Sequence, residues 1–200
     1  MAVDPTARAR DLFEEAGAIR TGGHFVYTSG RHGSAYVNKD AVYPDTRRIS
    51  ELCGLLAGAV AGFRPEIVCG PAVAGIIVAQ WTAHHLGVPA VYADKVDSGL
   101  VLARGYDRLV SGRRVAVVED VVTTGGSLAR TVAAVEAAGG TTVVAAALVN
   151  RGGVSADDVS APSLVSLLAL DFESVAAAEC ELCAAGVPID TGLGKAKRGS

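Results

Sequence analysis

Two adjacent carboxylates, Glu119 and Asp120, stand two apolar residues ahead of Thr123-Thr124-Gly125-Gly126-Ser127. Carboxylates accept hydrogen bonds from sugar hydroxyls. A hydroxyl- and glycine-rich turn that opens a helix offers backbone N–H groups to a phosphate. One ligand satisfies both halves, a sugar phosphate. Positioning them takes a buried strand over Arg114–Val118, which hands the acids over at its carboxyl end, and a helix from Leu128 to Ala138. The competing explanation is a ligand-free helix cap, since an acid before a Gly turn is common in α/β proteins. No Gly-Lys-Ser/Thr and no Gly-x-Gly-x-x-Gly follows a strand, so neither a Walker loop nor a dinucleotide fingerprint is present.

The other elements alternate. Asp4-Pro5 reads as a cap opening a helix to about Ala16, and residues 24–38 read as a short hairpin. Asp45 caps a helix to about Ala61. Ile67–Cys69 and Val88–Tyr92 read as strands, separated by the turn Gly70–Gly75 and a helix through His85. A polar connection over 96–112 leads to the strand before the acids. Its helix stops at Gly139-Gly140. Strands follow at Thr142–Val149 and Leu164–Leu170, then a helix over Glu173–Ala185. The expectation is an α/β fold, a parallel sheet flanked by helices, in one domain over 1–200 with a disordered tail from about 192. Ligands in such sheets bind beyond the strand carboxyl ends.

The 200 residues are 50% hydrophobic and carry a net charge of −3, enough for a substantial core and without a basic block for nucleic acid or an anionic membrane. No apolar run approaches the ~20 residues of a membrane span. The first residues lack the apolar core of a signal peptide, so a cytoplasmic location is expected. Of four cysteines, Cys53 and Cys69 read as core residues. Cys180-x-x-Cys183 supplies half of a zinc site with no histidine near it in sequence, so helix packing is expected and no protein metal ligands are assigned.

The run Glu119–Ser127 resembles the 5-phosphoribosyl 1-diphosphate (PRPP) motif of type I phosphoribosyltransferases. Within that group the chain looks most like orotate phosphoribosyltransferase. Tyr27-Thr-Ser-Gly-Arg31 and Ser34-Ala-Tyr36-Val37-Asn38 resemble that family's N-terminal hood, here about residues 20–40. Cys69-Gly-Pro71-Ala72-Val73-Ala74-Gly75-Ile76 resembles its pyrophosphate loop, and Asn150-Arg151 the position of its orotate-binding arginine. The resemblance implies transfer of 5-phosphoribosyl from PRPP to orotate, Mg²⁺ carried mainly by PRPP, and a homodimer. It implies that Glu119 and Asp120 hold the ribose hydroxyls. Thr123, Arg151 and the backbone near Tyr36 and Val37 would hold orotate, while Pro71–Gly75 would face the diphosphate.

Departures from the family pattern fall on cations. Ala74 and Thr28 stand where lysines are usual, and the stretch Asp94–Arg108 has no histidine. Lys95 and Arg104 are the candidates to act catalytically there, with Lys39 a further cation. Losing a charged hydrogen bond costs about 1.5–3 kcal/mol. The alternatives are therefore transfer to another base, or a catalytically weak PRPP- or nucleotide-sensing regulator.

Overall fold

The computed structural model describes residues 4–27, 29–97 and 99–191, and the chain forms two compact units. Thr28 and the tail from 192 lie outside the described residues. The larger unit comprises the described residues of Met1–Ala9 with Asp45–Leu170, and the smaller those of Arg10–Pro44 with Asp171–Ser200. The boundary falls inside the first helix, α1 (Pro5–Glu15), whose Thr6 N–H is capped by Asp4 at 3.0 Å.

The larger unit is built on six strands. They are β3 (Ile67–Pro71), β4 (Ala90–Val96), β5 (Gly99–Val101), β6 (Arg114–Val122), β7 (Thr141–Asn150) and β8 (Leu164–Ala169). Their spatial order is β5-β4-β3-β6-β7-β8, parallel throughout except for β5 against β4. β7 and the Val115–Val118 part of β6 are apolar on both faces, as a sheet covered on both sides requires. The cover is α2 (Thr46–Val60) and α3 (Ala74–Leu86), which pack together, and α5 (Gly126–Ala137). Asp45 caps α2 by accepting the N–H groups of Arg47 and Arg48 at 3.0 and 3.2 Å.

Chain direction decides where a ligand goes. From β3 the chain steps outward to β4, whereas from β6 it steps the opposite way to β7. Right-handed crossovers then put α3 and α5 on opposite faces, and a crevice opens between the carboxyl ends of the adjacent β3 and β6. Cys53 and Cys69 are fully buried in this unit, and desolvation pushes both thiols up to about 12.

In the smaller unit, β1 (Ile19–Val26) pairs antiparallel with β2 (His32–Val37), with an irregularity between Thr21 and Phe25. The hairpin thus begins five residues before the expected 24.

Three other expectations need correction. The strand before the acids continues to Val122, because Val121 and Val122 keep pairing with Val149 and Asn150; the acids lie inside it. The connection 96–112 holds β5 and a short helix, α4 (Tyr106–Val110), with Leu102 and Tyr106 packed on the core. The helix expected over Glu173–Ala185 does not form. Val175 exchanges both backbone hydrogen bonds with His32 at 2.9 Å, so pairing with β2 overrides local helix propensity. Only a 3₁₀ turn, Ala177–Glu179, and α6 (Glu181–Ala184) remain.

Candidate active site

Glu119 and Asp120 are 7% and 3% exposed on β6. Neighbours on a strand point to opposite faces, so the pair cannot act as one flat plate. Glu119 lines a cavity of about 250 Å³ together with Thr123, Thr124, Gly125, Gly126, Ser127 and Arg130. Asp120 is not among its lining residues. The Asp120 carboxylate accepts the Val121 N–H at 2.6 Å, and Glu119 Oε1 accepts the Asp120 N–H at 3.2 Å.

Burial pushes the Glu119 carboxyl up to about 7, and repulsion from Asp120 adds to the rise; hydrogen bonds from the Asp120 N–H and Ser127 oppose it. A buried acid poised near neutrality beside a cavity marks a functional position.

The floor of that cavity is the start of α5. Gly125 occupies the N-cap with φ 75° and ψ −11°, a left-handed conformation that suits glycine and leaves no side chain over the helix end. The first N–H groups of α5 are therefore free to meet an anion. Thr131 Oγ1 donates to the Ser127 carbonyl at 2.9 Å and steadies the first turn.

Across the crevice, the expected pyrophosphate loop Pro71–Gly75 follows β3 with a cis Ala72–Val73 peptide. A Cβ on Gly75 would stand 3.2 Å from Glu119 Oε1, which shows how closely this backbone approaches the acid. A Cβ on Gly70 would fall on the Gly75 carbonyl, so the backbone of β3 touches the first turn of α3 here. Ala72 N–H is fixed to the Ala93 carbonyl at 2.9 Å, and Ala74 opens α3. Val73 is 73% exposed at the loop tip.

At the other flank the fold brings Thr123 and Arg151 together. Arg151 N–H donates to the Val122 carbonyl at 2.8 Å, and Gly152 lies directly on the Thr123 carbonyl. The Asn150 side chain ties the turn by accepting the Gly152 and Val154 N–H groups at 3.3 and 3.1 Å and donating to the Val154 carbonyl at 2.8 Å.

The remaining expected residues fall on other elements. Lys95 is exposed on β4 opposite Leu100, and Arg104 pairs with Asp94 at 3.1 Å, which raises the pKa of its guanidinium. Neither lines the cavity. Tyr36 and Val37 belong to the smaller unit, where Tyr36 meets the Phe25 ring at 5.6 Å and Val37 is buried. Lys39 opens a 3₁₀ turn in that unit.

Sequence reasoning missed Arg130. It stands four residues after Gly126, one helical turn along the same face, and brings a guanidinium to the cavity wall. That spacing was available in the sequence.

Three comparisons bear on this geometry. A family model described as "Phosphoribosyl transferase domain" matches residues 45–168. The orotate phosphoribosyltransferase of Caldanaerobacter subterraneus subsp. tengcongensis is 36% identical over 182 residues, 90% of this chain and 92% of that protein. The orotate phosphoribosyltransferase of Pelotomaculum thermopropionicum is 38% identical over 179 residues, 88% and 91% of the two chains. Among solved structures, Mycobacterium tuberculosis orotate phosphoribosyltransferase in complex with PRPP superposes with a TM-score of 0.64 at 26% identity, over 83% of this chain and 96% of that one. A strand-borne acid beside an uncapped helix start, at the crevice where the sheet reverses direction, therefore stands in a matching sequence frame: the chain belongs to the phosphoribosyltransferase family.

Proposed function

We propose that the protein transfers the 5-phosphoribosyl group of PRPP to orotate, giving orotidine 5′-phosphate and pyrophosphate. The observation that carries this reading is the single cavity shared by Glu119 and the open N-terminus of α5. The 5-phosphate sits on the N–H groups of Thr124–Ser127 with Arg130 beside it. Glu119 holds the ribose hydroxyls and faces the positive charge that grows on the ribose as the anomeric bond breaks, with Asp120 beside it in the strand as the second acid of the motif. Arg151 pairs with the carboxylate of the acceptor, next to Thr123. The backbone of Pro71–Gly75 receives the diphosphate.

Magnesium fits this cavity, whose donors are carboxylate and hydroxyl oxygens suited to a hard cation. Glu119 would share it with the oxygens of the substrate, and the bound ion would neutralise the diphosphate. A cytoplasmic homodimer completes the reading; dimerisation rests on the family resemblance.

Pyrophosphate release should require PRPP, orotate and Mg²⁺ together. Release with uracil or a purine but not with orotate would reject the acceptor. One observation favours a second reading, a weak or sensing protein: Ala74 brings no cation to the loop after β3, and Arg104 is already paired with Asp94. PRPP binding without turnover on any base would decide for it.

Arg130→Ala tests the phosphate assignment. It is expected to raise KM for PRPP roughly tenfold or more with a smaller change in kcat, because a charged hydrogen bond is worth about 1.5–3 kcal/mol. Unchanged KM would place Arg130 in solvent.

A further inference from the structure

Within the smaller unit, four side chains that the transfer chemistry does not use converge on one point. His24 from β1, His32 from β2, Cys180 and Cys183 each present one donor atom, all within 4.8 Å of one another. His24 Nε2 lies 3.6 Å from each sulfur, Cys183 Sγ lies 3.3 Å from His32 Nδ1, and the two nitrogens are 2.9 Å apart. Donor atoms around a tetrahedral zinc ion stand roughly 3.3–3.8 Å apart, given Zn–N and Zn–S bonds of about 2.0 and 2.3 Å. We propose that His24, His32, Cys180 and Cys183 form a closed, structural Zn²⁺ site, separate from the transfer chemistry and independent of which base is the acceptor.

The donor set selects the ion. Two thiolates and two imidazoles in a tetrahedral arrangement suit zinc and not magnesium. Four protein ligands leave no open position for a substrate or a reacting water, so the role is structural. The tautomer of His24 is already set. Its Nδ1 lies 2.8 Å from the Val187 carbonyl, which can only accept, so the proton sits on Nδ1 and the lone pair of Nε2 faces the sulfurs. Binding would release the two thiol protons.

The C-terminal segment that carries the two cysteines has little else to hold it. Among the described residues of 171–191 only Cys180 is buried, and Val175, Val187 and Ile189 remain exposed. The segment has a 3₁₀ turn and a four-residue helix, and its polar ties to the hairpin include the His32–Val175 bridge, Arg31 to Ser174, His24 Nδ1 to the Val187 carbonyl, Asp190 N–H to the His24 carbonyl and the Arg20–Asp190 pair. A segment with so little apolar burial of its own is where a metal can supply the hold that a core does not. Zinc would join the hairpin to a segment that begins well over a hundred residues later in the sequence.

Elemental analysis of the full chain, expressed with zinc and purified with a thiol reductant, should find about one zinc per chain, and the Cys180→Ser/Cys183→Ser double variant less than about a tenth of that. Chelation should lower the Tm of the wild type by roughly 10 °C or more and leave the double variant unmoved. Cobalt(II) loading of the wild type needs no variant: a tetrahedral visible spectrum with sulfur-to-cobalt charge transfer is expected. A reduced wild type that stays metal-free in excess zinc, a cobalt spectrum without the sulfur band, or a Cys180–Cys183 disulfide persisting under reductant would each overturn the proposal. Metal content is read apart from pyrophosphate release, so either result stands without the other.

Discussion

Glu119→Gln is expected to cut kcat/KM for PRPP by about 100-fold or more while making the folded protein more heat-resistant at pH 8. The two effects share a cause. Glu119 is buried next to Asp120, so its carboxylate is costly when no substrate is present. A charge aimed at the developing positive ribose acts only in the transition state, and removing such a group typically costs a factor of about 10²–10³. Stability moves the other way. The folded pKa of about 7 lies above the ordinary 4.5, so the folded chain binds the proton more tightly than the unfolded chain. Stability is therefore full below pH 4.5 and falls as the pH climbs through 7. The loss is at most about 3 kcal/mol above pH 7, at 1.36 kcal/mol per pKa unit. Glutamine removes that loss and still accepts the Asp120 N–H. The Tm gap between variant and wild type should widen from pH 5 to pH 8, and wild-type activity should rise with pH through about 7. A gap that stays constant across that range would show that Glu119 is not buried against its charge.

Gly152→Ala is the second large effect. A Cβ there would land on the Thr123 carbonyl oxygen, and both partners are backbone. Relief requires β7's end to move away from β6's end, which stretches the Arg151-to-Val122 hydrogen bond of 2.8 Å. Overpacking of this kind costs about 1–3 kcal/mol, or roughly 2–12 °C in Tm for a chain of this size. Function suffers more, because Thr123 and Arg151 are separated, and a misplacement of about 1 Å can cost on the order of 100-fold. Gly153→Ala provides the contrast. Gly153 has φ 61° and nothing within 4 Å of a built Cβ, so only backbone strain of about 1–2 kcal/mol is expected, with turnover largely kept. Equal loss of turnover in both variants would remove the contact from the account.

Local chemistry was legible wherever it determines local structure. Asp45 is a helix cap in the sequence and in the fold, and Thr123–Ser127 opens a helix beside an acid in both. Strand ends were less legible, because Val121 and Val122 are held by β7 rather than by their own neighbourhood. Arg104 looked like a free cation, yet its partner Asp94 is reached only through the β4–β5 turn. The Cys180/Cys183 pair was visible as a motif, but His24 and His32 stand about 150 residues away and on a different element. No periodicity carries that relation; long-range pairing, such as the bridge between His32 and Val175 and the Asp190 N–H on the His24 carbonyl, brings them together.

The deep seating of Cys53 and Cys69 has a practical consequence. Thiols held near 12 and sealed from solvent stay silent towards alkylating reagents while the larger unit is closed. Any label found on either one marks a molecule whose larger unit has opened around that thiol, so the chain carries a built-in clock for the opening of its core, and the time course of labelling reads it.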